Sequence, residues 1–142
     1  RCQVTSVSMV ARLPDAGTFL EHEILRHEYF GPLAILVTLS STDDIEPVLR
    51  SLGGQLTATI FCDEADPLAP DLLPLLTEIA GRVIVNGVPT GVEVNSASQH
   101  GGPWPACSDS RFSAVGPSAL LRFVRPVAHQ NVPAHLLPEA LR

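Results

Sequence analysis

Apolar residues along this chain fall into runs whose spacing alternates between continuous and helical. Leu33-Ala34-Ile35-Leu36-Val37-Thr38-Leu39 is almost unbroken apolar sequence, as expected of a strand covered on both faces. Ser40, Ser41 and Thr42 follow, with side-chain oxygens suited to capping a helix start. Asp43 and Asp44 come next, where the helix dipole favours negative charge. Ile45, Val48, Leu49 and Leu52 then recur at i, i+3, i+4 and i+7, one face of a helix. Gly53-Gly54 supplies its left-handed stop.

The same alternation repeats. Residues 56–61 are rich in β-branched side chains and read as a second strand. Leu72, Leu75, Leu76 and Ile79 again hold helical spacing. With Asp71 as the cap, Pro74 falls in the first turn, where its missing N–H removes no bond. Gly81 ends that helix, and residues 82–86 read as a third, buried strand. Strand, helix, strand, helix, strand predicts an α/β fold, a βαβαβ unit whose parallel strands are joined by right-handed crossovers. Upstream, residues 9–13 suggest a strand and residues 16–26 a short helix. Downstream, 117–123 suggest a helix, 124–130 a strand and 136–142 a tail turn.

Residues 87–116 break the pattern with Gly, Pro, Ser and Asn. So long a loop in a small domain is functional or signals a misread element. It leaves the carboxyl end of strand 82–86, the edge where open α/β sheets place ligands, which favours a functional loop.

Composition narrows the classes. The 142 residues match the length of one domain, 45% are hydrophobic and 17% charged, a balance that supports a core. Net charge is −6 and all nine basic residues are Arg, so no basic stripe exists for nucleic acid or an anionic membrane surface. No apolar run reaches bilayer-spanning length. The start, Arg1-Cys2-Gln3-Val4-Thr5, has no secretory pattern. Cys2, Cys62 and Cys107 lie far apart and cannot all pair, which points to a reduced, cytoplasmic protein. No initiator Met opens the chain, which suggests part of something longer.

Several chemistries have no residues to carry them. Phosphate-cradling Gly motifs are absent, as is a P-loop Lys. No Cys or His spacing suits a metal, and no nucleophile elbow is present. Cys107 and His100 share the long loop and offer a nucleophile pair, set against an ordinary loop thiol. Cys62 reads as a small buried hydrophobe.

Glu28-Tyr29-Phe30-Gly31-Pro32 stands before the first clear strand. A carboxylate there can accept hydrogen bonds from the vicinal hydroxyls of a ribose, and a nearby ring can pack on a planar heterocycle. Gly31-Pro32 makes a tight turn that fixes both. Taken alone, the pentapeptide favours a plainer reading, Glu28 as a solvated charge and Phe30 as a core residue.

The pentapeptide resembles the E-x-F-G-P motif of the aldehyde dehydrogenase superfamily, and the order of elements after it matches. Gly81 to Val94, His100 to Arg111, Arg122 to Val127 and Leu136 to Arg142 resemble the superfamily's 2,5-dioxovalerate (α-ketoglutaric semialdehyde) dehydrogenase branch. Trp104 and Cys107 depart from it, standing where Phe and Thr are expected.

The resemblance implies that Glu28 binds the nicotinamide ribose of NADP or NAD and that Phe30 packs beside the nicotinamide. Loop 87–112 becomes part of the entrance for a small acidic aldehyde, with Trp104 and Arg111 as substrate candidates; Arg111 has a planar fork suited to a carboxylate. No catalytic residue is carried over, because the family's nucleophilic Cys and general-base Glu lie upstream of this motif, and Cys2 lacks the nucleophile's surroundings. Residues 1–142 thus read as the C-terminal portion of an aldehyde dehydrogenase, inactive alone, with a strand at about 124–130 in a homo-oligomer contact. A free-standing, non-catalytic α/β interaction module is the alternative, and a Cys107–His100 hydrolase is a third reading.

Overall fold

Strands β1 (Met9–Leu13) and β2 (Leu33–Val37) pair in parallel, Met9 opposite Leu33 and Leu13 opposite Val37. They belong to a computed structural model that describes residues 8–91 and 93–142, so Cys2 and Val92 lie outside the described residues. The Gly31-Pro32 turn starts the ladder: Leu33 N–H donates to the Gly31 carbonyl at 2.8 Å, and Met9 N–H to the Pro32 carbonyl at 2.8 Å.

Helix α1 (Ala16–Glu21) crosses between these strands, and the Asp15 carboxylate caps it by accepting from Thr18 N–H at 2.7 Å. The single helix expected over 16–26 is broken. His22 is extended, and a separate 3-10 turn covers Glu23–Arg26. That turn brings Arg26 back onto the helix end, where its guanidinium donates to the Phe19 and Leu20 carbonyls at 3.2 and 2.9 Å. A cation there satisfies carbonyls the helix leaves free.

After β2, Ser41 Oγ accepts from Asp43 N–H at 3.1 Å, as the capping pattern requires. One 3-10 turn (Thr42–Asp44) leads into helix α2 (Ile45–Ser51), and Gly53 follows with φ 66°. Strand β3 (Ala58–Ile60), helix α3 (Ala69–Ile79) and strand β4 (Val83–Val85) complete the regular elements, β3 and β4 pairing in parallel. Helix α3 begins earlier than the Asp71 cap predicted. Pro70 sits in its opening turn, so Pro74 falls inside the helix and leaves the Pro70 carbonyl without its ladder donor.

The expected βαβαβ sheet is not continuous. Among the described residues β2 pairs only with β1 and β3 only with β4, giving two two-stranded sheets. Residues 9–13, the less clear of the expected strands, take one edge of β2, and Ile35 and Val37 of β2 line a common cleft with residues 55–57 entering β3. The fold class, small α/β with parallel pairing, stands. Coverage on both faces does not: burial along β2 alternates, with Leu33, Ile35 and Val37 partly buried and Leu36 45% exposed.

Ala16, Phe19 and Val48 form the buried centre where α1 and α2 meet the first sheet, with Leu13, Ile35, Val37 and Leu52 packed around it. On α3, Leu75, Leu76 and Ile79 are buried, the face that its helical spacing marks. Arg50 ties α2 to α3, donating to Glu46 at 2.7 Å and Glu78 at 2.9 Å. Downstream, 117–123 is a 3-10 helix, and residues 124–130 form no ladder. Two further 3-10 turns, Ala134–Leu136 and Glu139–Leu141, make the tail. No helix among the described residues is long and apolar enough to cross a membrane.

Candidate functional site

The loop after β4 does not stay at the carboxyl edge of the sheet, where the sequence placed it. It doubles back, and residues 101–106 lie against the chain entering β3 and β4. Two glycines permit this. A side chain on Gly81 would collide with the Gly101 carbonyl, and one on Gly54 with the Pro103 carbonyl. Gly54 N–H donates to the Trp104 carbonyl at 3.1 Å, and Ala106 N–H to the Pro103 carbonyl at 2.8 Å. The Trp104-Pro105 peptide is cis.

Ser113 pins the far end of the loop. It is only 2% exposed, accepts on Oγ from His100 N–H at 3.0 Å and donates to the Val115 carbonyl at 2.7 Å. Sequence reasoning missed it, since a Ser among Ser, Gly and Pro carries no period that marks burial.

This folding-back brings Pro105 and Ala106 into the same cleft as Glu28. The cleft has a volume of about 870 Å³. Arg26, His27 and Glu28 line one side, and Gln55, Leu56 and Thr57 another. Its floor is apolar, formed by Phe19, Leu25, Ile35, Val37, Val48 and Leu52. Glu28 is exposed there, so its two carboxylate oxygens face solvent as acceptors. Phe30 is 97% exposed on the turn two residues later, which overturns its reading as a core residue. Glu28 lines the cleft, and Phe30, two residues on, does not. The cleft thus sets an acceptor-only carboxylate beside an apolar wall.

The other candidates are not gathered here. Trp104 is 77% exposed and only its backbone touches Gly54. Arg111 does not line the cleft; it turns onto Asp109, with Nη2 to Oδ2 at 2.6 Å and Nε to Oδ1 at 2.9 Å. That guanidinium holds the Asp109 carboxyl down at about 2, through the side-chain hydrogen bonds first and a backbone bond from Arg111 second. Arg111 also lies over the Phe112 ring, 5.6 Å from its centre.

Cys107 and His100 are not joined as a nucleophile and base. The thiol donates to the Asp109 carbonyl at 3.1 Å, and among the described residues His100 is hydrogen-bonded through its backbone. Cys62 is half-buried. Among the described residues no group of three or more His, Cys, Asp or Glu side chains could hold a metal.

No protein-family model matches the chain. It is similar to proteins named as semialdehyde dehydrogenases. The alpha-ketoglutaric semialdehyde dehydrogenase of Acinetobacter baylyi is 53% identical over 119 residues, 83% of this chain and 23% of the relative. Alpha-ketoglutaric semialdehyde dehydrogenase 2 of Azospirillum brasilense is 49% identical over 128 residues, 89% of this chain and 24% of the relative. The 3,4-dehydroadipyl-CoA semialdehyde dehydrogenase of Aromatoleum evansii is 32% identical over 105 residues. The chain thus spans about a quarter of the length of the curated relatives it matches.

Proposed function

We propose that this chain is the C-terminal portion of an NAD(P)-dependent dehydrogenase that oxidises a small acidic aldehyde such as 2,5-dioxovalerate to 2-oxoglutarate. The observation that carries the reading is identity of 53% and 49%, over most of the chain, to two proteins named for α-ketoglutaric semialdehyde. The nicotinamide supplies a hydride acceptor when bound. In this reading Glu28 holds the ribose hydroxyls and Phe30 flanks the ring, so the chain's part is to orient the cofactor. Residues 103–106 form one wall of the aldehyde entrance, with Trp104 at its mouth. Nucleophile and general base come from the rest of the enzyme, so the 142-residue chain alone has no turnover. The whole enzyme works in the cytoplasm as a homo-oligomer, with 124–130 in the subunit contact.

The test joins this chain to the remaining portion of the Acinetobacter baylyi relative and follows NAD(P)H formation with 2,5-dioxovalerate. Glu28→Gln removes one charged acceptor of about 1.5–3 kcal/mol and should raise the KM for the cofactor about tenfold or more. Unchanged cofactor kinetics in that variant would remove Glu28 from the site. A fusion that oxidises no semialdehyde, or turnover by the isolated chain, would overturn the reading.

A further inference from the structure

Arg82 carries a charge that the described residues leave without a counter-charge. It is half-buried at the entrance to β4. Its Nε is fully buried with no hydrogen-bond partner among the described residues, and its Nη2 reaches only the Thr90 carbonyl, at 3.4 Å. The chain has 15 acidic residues, yet among the described residues none forms an ion pair with Arg82. A half-buried guanidinium with an empty donor is costly to leave unpaired. The other described arginines differ. Arg50 and Arg111 hold carboxylates, and Arg26, also half-buried, is fixed on the Phe19 and Leu20 carbonyls. Arg12, Arg122, Arg125 and Arg142 are exposed.

The position of Arg82 joins the cleft to the long loop. The bridge between Gln55 and Ala80 and the pairing of Ala58 with Val83 keep one offset, which sets Arg82 opposite Thr57, a residue of the cleft wall. Neighbouring strands lie about 4.8 Å apart, so Arg82 stands one strand beyond that wall. On the loop side, Gly81 abuts the Gly101 carbonyl, and Thr90 is the residue that Nη2 meets. The edge formed by Nε and Nη2 is the one by which Arg111 holds Asp109. On Arg82 the same edge has an empty Nε and a carbonyl near the limit of hydrogen-bond distance. A carboxylate that displaces the Thr90 carbonyl satisfies both nitrogens side-on.

We propose that Arg82, rather than Arg111, is the specificity-determining residue that receives the carboxylate of the acidic aldehyde. This rests on the dehydrogenase reading. In 2,5-dioxovalerate the carboxylate carbon and the aldehyde carbon are four bonds apart, a span of about 5 Å from bonds of about 1.5 Å. An aldehyde group lodged in the cleft beside Thr57 therefore reaches Arg82 with its far end. The guanidinium then distinguishes an acidic aldehyde from a neutral one, which leaves the buried donor unpaired.

The fusion with the Acinetobacter baylyi remainder tests this with 2,5-dioxovalerate and pentanal, an aldehyde of the same chain length without the carboxylate. Arg82→Gln should raise the KM for 2,5-dioxovalerate at least about tenfold, while the KM values for pentanal and for the cofactor change by less than about twofold. Arg82→Lys keeps the charge without the fork and should fall between wild type and Arg82→Gln; it carries the same comparison if Arg82→Gln does not fold. An unchanged KM for 2,5-dioxovalerate overturns the proposal. Equal rises for the two aldehydes overturn it as well, because they assign Arg82 to a structural pair with a carboxylate from the rest of the enzyme. A wild-type fusion that oxidises pentanal as readily as 2,5-dioxovalerate defeats the role of Arg82 and leaves the dehydrogenase reading standing. A fusion that oxidises neither aldehyde removes that reading and the role of Arg82 together.

Discussion

The side-chain amide of Asn86 pairs with the backbone of Cys62 as a strand residue would, accepting from its N–H at 2.9 Å and donating to its carbonyl at 2.8 Å. Asn86 has φ 51°, a left-handed conformation that Asn tolerates better than most side chains. The amide thus extends the β3–β4 ladder beyond Ile60 and Val85 while the backbone turns into the long loop. Asn86→Ala loses both bonds and strains the backbone, and should cost about 1–2 kcal/mol. Asn86→Gly loses the bonds without the strain and should cost less. Urea denaturation reads this as a midpoint lowered by about 1 M for Ala. Equal midpoints for wild type and Ala would show that the amide contributes nothing.

The doubled-back loop depends on two absent side chains. A Cβ on Gly81 meets the Gly101 carbonyl and one on Gly54 meets the Pro103 carbonyl, both rigid backbone. Gly81→Ala and Gly54→Ala should therefore lift residues 101–106 off the strand entrances and move Pro105 and Ala106 away from Glu28. Limited proteolysis between residues 99 and 107 should speed up about tenfold in either variant, as expected when the open form becomes more populated. Gly91→Ala, with nothing within 4 Å of the added carbon, is the control. A digestion pattern unchanged by Gly81→Ala would refute the close approach.

What could be read in the sequence was whatever local chemistry determines. Strand β2 was plain because Leu33 to Val37 are all apolar, and α2 because Ile45, Val48, Leu49 and Leu52 share a face after a Ser41 cap. The start of α3 was misplaced because Pro70 opens a helix as well as Asp71 caps one. Pairing was legible less far. A continuous apolar run demands cover on both faces, and the cover for Leu36 and Val10 does not come from the described residues. Residues 124–130 carry strand-like side chains and meet no partner edge. In the site, Glu28 and Phe30 stood out only through the Gly-Pro turn and the motif around them. The meeting of Glu28 with Pro105 depends on glycine contacts between distant segments, which no period encodes.

Phe19 is 5% exposed at the centre of the first cluster, where only Ala16 and Val48 are comparably buried. Phe19→Ala removes a ring that nothing nearby can replace, at a cost of about 3–5 kcal/mol. Small domains hold about 5–15 kcal/mol in total, so this one change should take much of the isolated chain's stability. Thermal melting followed by far-ultraviolet circular dichroism should lose its cooperative step in Phe19→Ala and keep it, at lower temperature, in Phe19→Leu. A melt unchanged by the alanine variant would move the core elsewhere.

The Asp109–Arg111 pair gives a pH signature whose sign is fixed. Arg111 holds the Asp109 carboxyl at about 2 in the folded chain, below the ordinary value of about 3.9 in an unfolded one. The unfolded state therefore binds its proton first as pH falls. The pair's contribution is fully present above about pH 4 and fades between about 4 and 2. Both groups lie at the surface, so the effect is small and partly screened by salt. Comparing wild type with Asp109→Asn, the difference in urea midpoint should be constant from pH 7 to 5 and shrink below 4. The same engagement bears on substrate binding: in the fusion enzyme Arg111→Gln should leave the KM for 2,5-dioxovalerate nearly unchanged if the guanidinium stays on Asp109. A rise of about tenfold would instead mean that substrate draws Arg111 away from its neighbour.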